Sequence, residues 1–135
     1  MEINIAKPAK EAWAKVGKYC DISEWLKVDC AITSGDGGIG TVRSLAGGRV
    51  VEVLVGQTEL SYGYTQPLKT GEFYNLYHGF IEARSVTKTS SKMIYTLLLD
   101  ESDKPDQGAK DADVARRRTM FEGALKNMKT IAEAK

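Results

Sequence analysis

Apolar and polar positions alternate in short runs through most of the chain and fall at three- and four-residue spacing only near its two ends. Ile3 and Ile5 alternate with polar neighbours, the period of a half-buried strand. Pro8 then opens a helical segment, a place where its missing N–H costs nothing, and Ala9, Trp13 and Val16 follow at helical spacing. Asp21 and Ser23 are N-cap candidates for a second short helix carrying Trp25 and Leu26. From Val28 to Asp100 the pattern is that of strands separated by glycine. The clearest hairpin joins residues 41–46 to residues 49–55 through Gly47-Gly48, a pair suited to a primed turn because both central residues need positive φ. Counting outward from that turn sets Ala46 against Arg49, Leu45 against Val50, and Arg43 against Glu52. Further strands are expected over residues 59–66, 73–87 and 91–100. A loop over residues 100–109, with Pro105 and Gly108, leads to a last helix whose start carries Asp111 and Asp113, where negative charge suits the N-terminus. Val114, Phe121, Leu125, Met128 and Ala132 then form an apolar stripe that must bury, on a helix roughly 35 Å long at about 1.5 Å per residue. Strand, two helices, antiparallel strands and one long helix make an α+β layout.

Bulk composition narrows the function classes. At 135 residues, 42% hydrophobic and 27% charged, the chain fits one domain over residues 1–135 and neither a disordered segment nor a coiled coil. A formal charge of +1 argues against a nucleic-acid partner, and Arg116-Arg117-Arg118 reads as a solvated helix face. No apolar run reaches the length of a membrane span, and the N-terminus lacks a basic region followed by an apolar one, so a cytoplasmic location is expected. Cys20 and Cys30 have neither metal-ligand nor redox spacing, and with a single histidine a zinc site is not expected. Buried reduced thiols are the expectation, with a Cys20–Cys30 disulfide as the alternative. Residues 35–40 are glycine-rich but lack the helix onset of a dinucleotide site, and no nucleophile elbow or phosphate loop is present. No cofactor is expected.

Several stretches, in order, resemble a known superfamily. The initial strand, Pro8-Ala9-Lys10-Glu11-Ala12-Trp13 and Trp25-Leu26 are similar to the opening of the START-like, or SRPBCC, helix-grip proteins. Gly38–Leu45 resembles the superfamily's glycine-threonine-x-arginine strand, and Val51–Leu54 the glutamate strand that follows. Leu60–Tyr64 and Asn75–Gly79 resemble its two pocket strands. The likeness covers nearly the whole chain and is nearest the polyketide cyclase/dehydrase-like branch; more distantly it extends to plant abscisic-acid receptors and the birch-pollen allergen fold. It implies a curved antiparallel sheet gripping the C-terminal helix, with a deep cavity between them. Activity does not follow from it, since the superfamily holds cyclases, lyases, lipid carriers and hormone receptors.

Two constellations could carry chemistry. Arg43 and Glu52, opposed across the hairpin, form either a solvent-facing ion pair, with Val51, Val53 and Val55 on the core side, or a buried pair. The resemblance implies the second, with Arg43 orienting a carboxylate, phenolate or enolate and Glu52 acting as general base. Tyr62 and Tyr64 share a strand face by period two, and the resemblance sets Tyr77 beside them as a third catalytic candidate; Tyr95 is a further wall candidate. Ordinary aromatic packing is the alternative for each. His78 alternates with Tyr77 and so is expected to face away from it. Met120, Phe121, Ala124, Leu125 and Met128 would supply the helix side of the ligand wall, and Pro67 and Leu68 part of its mouth. The expected ligand is a small hydrophobic or aromatic, polyketide-like molecule, and a homodimer is an open alternative to a monomer. An acid-base cyclase, dehydratase or lyase stands first; a carrier or sensor without chemistry stands second, and an interaction module with a vestigial cavity third.

Overall fold

A computed structural model describes residues 1–67 and 76–135. The elements run β1 (Glu2–Ile5), α1 (Ala9–Val16), α2 (Ile22–Leu26), β2 (Cys30–Ser34), β3 (Val42–Leu45), β4 (Val50–Thr58), β5 (Ser61–Thr65), β6 (Tyr77–Ser85), β7 (Ser91–Leu99) and α3 (Gln107–Glu133). The strands form one antiparallel sheet in the order β1-β7-β6-β5-β4-β3-β2. β1 and β2 therefore lie at opposite edges, and the α1–α2 segment must cross the whole sheet to join them. α3, about 40 Å long at about 1.5 Å per residue, lies against α1, α2 and β1. This is the helix grip: one sheet, two short helices after its first strand, and a long terminal helix.

The hairpin forms as its sequence requires. Gly47 and Gly48 hold φ of 66° and 92°, and Arg49 donates its N–H to the Ala46 carbonyl at 3.4 Å. Leu45 pairs with Val50, Arg43 with Glu52 and Val42 with Val53. A side-chain period of two then decides the faces: Arg43, Glu52 and Leu54 point into the core, while Val51, Val53 and Val55 form the outer row. The valine row is thus not the core face. An irregularity between Leu54 and Gly56 resets the register, pairing Gln57 with the inward Tyr62.

Helix boundaries depart from the sequence reading in instructive ways. Pro8 directly precedes α1 and its carbonyl accepts from the Ala12 N–H at 3.0 Å. Asp21, not Ser23, stands at the N-cap of α2, but without a side-chain capping bond: its Oδ2 accepts from the Lys18 N–H at 2.8 Å. α3 begins earlier than expected, with Asp106 as its cap through a 2.8 Å bond to the Ala109 N–H. The buried face of α3 holds Asp113, Phe121, Ala124, Leu125, Met128 and Ala132. Val114 and Met120 are exposed, 43% and 38%, so the first leaves the predicted stripe and the second the expected ligand wall. Arg116 and Arg118 are solvated as expected, but Arg117 is not: it bonds Asp113 Oδ2 at 2.9 Å and lies over the Tyr77 ring.

The thiols are a further correction. Cys20, in the α1–α2 linker, and Cys30, opening β2, form a disulfide with Cα atoms 5.5 Å apart. No helix among the described residues is long and apolar enough to cross a membrane.

Candidate functional site

Inside the sheet, β3 and β4 present Arg43 and Glu52, 0% and 3% exposed. Arg43 donates Nε–H and an Nη2–H to Glu52 Oε1, at 3.0 and 2.7 Å, and Glu52 Oε2 accepts from Gln66 Nε2 at 3.0 Å. Nη1 donates to the Tyr19 carbonyl at 2.6 Å and to the Tyr62 hydroxyl at 3.3 Å. The guanidinium also lies 4.1 Å from the centre of the Tyr19 ring and 4.7 Å from that of Tyr64. Burial works against the guanidinium's charge, but Tyr62, Glu52 and Tyr64 outweigh it and hold Arg43 above its ordinary value. A charge pair with this little solvent survives because every partner is provided by the fold.

Around the pair stand phenols from separate elements: Tyr62 and Tyr64 on β5, Tyr77 on β6, Tyr95 on β7 and Tyr19 in the α1–α2 linker. Tyr64 and Tyr95 share a 2.5 Å hydroxyl contact. Tyr64 lies across Gly79, where an added Cβ would meet its Cζ at 2.2 Å, so only glycine fits beneath it. Burial pushes all five phenols up, so they stand as neutral hydroxyls; beside Tyr62 the Arg43 charge opposes that shift, and beside Tyr77 Arg117 opposes it. Tyr62 accepts from Arg43 and keeps its own O–H for another partner, a donor polarised by a buried cation.

The helix side of the expected wall is filled rather than hollow. Phe121 packs on Tyr95 with ring centres 4.6 Å apart, and Ala124, Leu125 and Met128 are 2% exposed or less within the same core. Among the described residues, these side chains fill the middle of the layer between sheet and α3, and open space remains toward its ends, including about 360 Å³ between β7 and the start of α3, bounded by Tyr95, Leu97, Leu99, Val114 and Arg117. One pocket, about 750 Å³, is bounded by Trp13 and Gly17 of the first helical segment, Tyr19, Leu54, Tyr62 and the Gly35–Gly37 loop. A smaller one of about 260 Å³ is polar, bounded by Gln66, Tyr77, Glu101, Lys104, Asp113 and Arg117. There the hydrogen bond between Glu101 and Asp113 pushes Glu101 up and Asp113 down.

Arg43, Glu52, Tyr62 and Tyr64 are thus brought into one cluster, with Tyr77 and Tyr95 adjoining it. Met120 is not part of the site. His78 lies on the opposite face from Tyr77, half-buried, as alternation predicts; Pro67 is exposed, and Leu68 falls outside the described residues, as do residues 73–75 of the expected strand. Sequence reasoning missed Tyr19 and Gln66 as neighbours of the charge pair, and Trp13 as a neighbour of Tyr62. Trp13 carried a helical-spacing signal only, and no local pattern marks a linker tyrosine or the residue after a strand. Among the described residues, no group of three or more His, Cys, Asp and Glu side chains is placed to hold a metal ion.

No family model matches the sequence, and no curated protein matches it. Solved structures do. A Thermobifida fusca protein studied by solution NMR superposes with a TM-score of 0.77 at 19% identity, over 96% of this chain and 88% of that one. The Zhui aromatase/cyclase from Streptomyces sp. R1128 gives 0.71 at 14%, over 98% and 91%. A START superfamily protein from Mycobacterium smegmatis gives 0.71 at 11%, over 98% and 94%. The fold is the helix grip that these structures share. At these identities the likeness to aromatase/cyclases extends to the architecture and stops there.

Proposed function

We propose that this helix-grip chain binds a small ring-bearing hydrophobic molecule in the pocket between α1 and the Gly35–Gly37 loop, with a ligand oxygen accepting from the Tyr62 hydroxyl. The observation that carries the reading is the double role of Tyr62: it borders the 750 Å³ pocket and accepts from Arg43 at 3.3 Å. That volume suits a ligand of drug-like size. Trp13, Tyr19 and Tyr62 supply aromatic surface, and Leu54 an apolar base. The test is fluorescence titration with 2-naphthol. Wild type is expected to bind saturably, and Ala14→Trp, which adds an indole at a residue of α1 that also borders the pocket, to lose at least tenfold in affinity. Non-saturable uptake by wild type would end this reading.

Chemistry is a second reading, favoured by the same polarised hydroxyl. A cofactor-independent cyclase, dehydratase or lyase needs a donor aimed at an oxygen that gains negative charge, and Tyr62 backed by Arg43 is such a donor. The aromatase/cyclase among the structural neighbours lends weight to this class. Glu52 suits the general-base role poorly, because both its oxygens are engaged by Arg43 and Gln66. In this reading it holds Arg43 in place and Tyr62 moves the proton. Glu52→Gln then keeps ligand affinity within tenfold while turnover falls. Turnover carried by Glu52 itself as base would fall by about 10²–10⁴. A carrier would show no turnover in either form.

A further inference from the structure

The Tyr19 hydroxyl has no role in the arrangement so far. Its ring stacks on Arg43, meets Tyr62 edge-on with centres 5.4 Å apart, and its carbonyl accepts from Arg43. Tyr19 is 6% exposed and borders the 750 Å³ pocket, yet its hydroxyl has no hydrogen-bond partner among the described residues. An O–H buried without a partner is costly, and native folds leave few of them unless something else fills the gap. Every other phenol of the cluster for which a hydroxyl contact is seen is engaged: Tyr62 with Arg43, and Tyr64 with Tyr95. The adjoining Cys20–Cys30 bond and the Arg43–carbonyl contact hold the Tyr19 backbone in place, so its hydroxyl cannot swing to water cheaply.

We propose that the Tyr19 hydroxyl is a second hydrogen-bonding subsite of this pocket, one that selects ligands bearing an oxygen beyond the one met by Tyr62. The inference rests on the pocket reading above. It places specificity in the α1–α2 linker rather than on the sheet. The ligand class it selects is a ring carrying two oxygen substituents, hydroxyl or carbonyl, over the same ring carrying one.

The experiment compares 2-naphthol with the isomeric dihydroxynaphthalenes, by titration against wild type and Tyr19→Phe. At least one dihydroxy isomer is expected to bind wild type about fivefold to tenfold more tightly than 2-naphthol, the range of one added neutral hydrogen bond. Tyr19→Phe is expected to abolish that gain, so that the dihydroxy isomer and 2-naphthol bind the variant within twofold of each other whatever the affinity of the ring itself. Its thermal midpoint should equal or exceed that of wild type, because an unpartnered hydroxyl has been removed. A gain that survives Tyr19→Phe, or no gain with any isomer while 2-naphthol binds, overturns the subsite and leaves the pocket standing. Failure of wild type to bind 2-naphthol overturns both. A midpoint several degrees lower would mean that the hydroxyl is already satisfied within the fold, and would also overturn the subsite.

Discussion

A single arginine organises the interior of this protein. Arg43 donates two bonds to one Glu52 oxygen, one to the Tyr19 carbonyl and one to the Tyr62 hydroxyl, so four of its donors are spent inside the fold. Removing one member of such a pair strands the other charge in a medium of low dielectric. Glu52→Leu is expected to destabilise by about 3–5 kcal/mol, the scale for breaking a buried ion pair. The paired replacement Arg43→Met/Glu52→Leu should cost less than Glu52→Leu alone. Chemical denaturation of both variants measures this; a double variant less stable than the single would show that the packing, and not the stranded charge, dominates. Gly79 makes a separate claim at the same scale. Gly79→Ala forces the Tyr64 ring away from a 2.2 Å approach, which an overpacked core resists by about 1–3 kcal/mol. The drop should appear as a lower thermal midpoint, and Gly79→Ala combined with Tyr64→Leu should recover part of it.

Among the elements, those set by local chemistry were readable and those set by tertiary approach were not. The Gly47-Gly48 turn fixes the β3–β4 register by counting alone, and it correctly opposed Arg43 to Glu52. Which face of that hairpin is the core was not readable from composition: a valine row and a charged row alternate, and the apolar row ended outside because the phenols of β5, β6 and β7 lie on the other face. The α3 stripe was partly readable. Phe121, Leu125, Met128 and Ala132 bury as spaced, whereas Val114 lies nearer the helix start, where the buried position goes to Asp113 through its bonds to Arg116 and Arg117. The Cys20–Cys30 bond was left open by sequence because proximity of a linker to an edge strand is a property of the crossing α1–α2 segment, not of residue spacing. Structural disulfides persist in oxidising compartments, which sets this bond against the cytoplasmic expectation. Closing a loop with a sequence separation of 10 stabilises by about 2–3 kcal/mol in the chain-entropy treatment. Dithiothreitol should lower the unfolding free energy read from chemical denaturation by that amount, and Cys20→Ser/Cys30→Ser should match the reduced protein and no longer respond to it. Equal stability of oxidised and reduced wild type would remove the bond from the list of supports.

At the scale of the whole molecule, the helix grip gathers phenols from a linker and three strands into one interior, and that concentration makes stability depend on alkaline pH. All five tyrosines among the described residues have hydroxyls pushed up, chiefly by burial. In the unfolded chain the same groups ionise near their free value of about 10. Above that pH the unfolded state loses protons that the folded state keeps, so unfolding is favoured with each further rise, and by several groups together. Stability from these phenols is therefore fully present below about pH 10 and lost as pH climbs beyond it. The near-ultraviolet absorbance of tyrosinate, followed with circular dichroism on the same samples, reads the coupling directly. Most of the tyrosinate signal is expected to appear in one steep step that coincides with loss of secondary structure, instead of a gradual curve centred near pH 10. Gradual ionisation in a protein that stays folded would mean that water reaches the cluster freely. The packed interior on which both the Arg43–Glu52 pair and the unpartnered Tyr19 hydroxyl depend would then be absent.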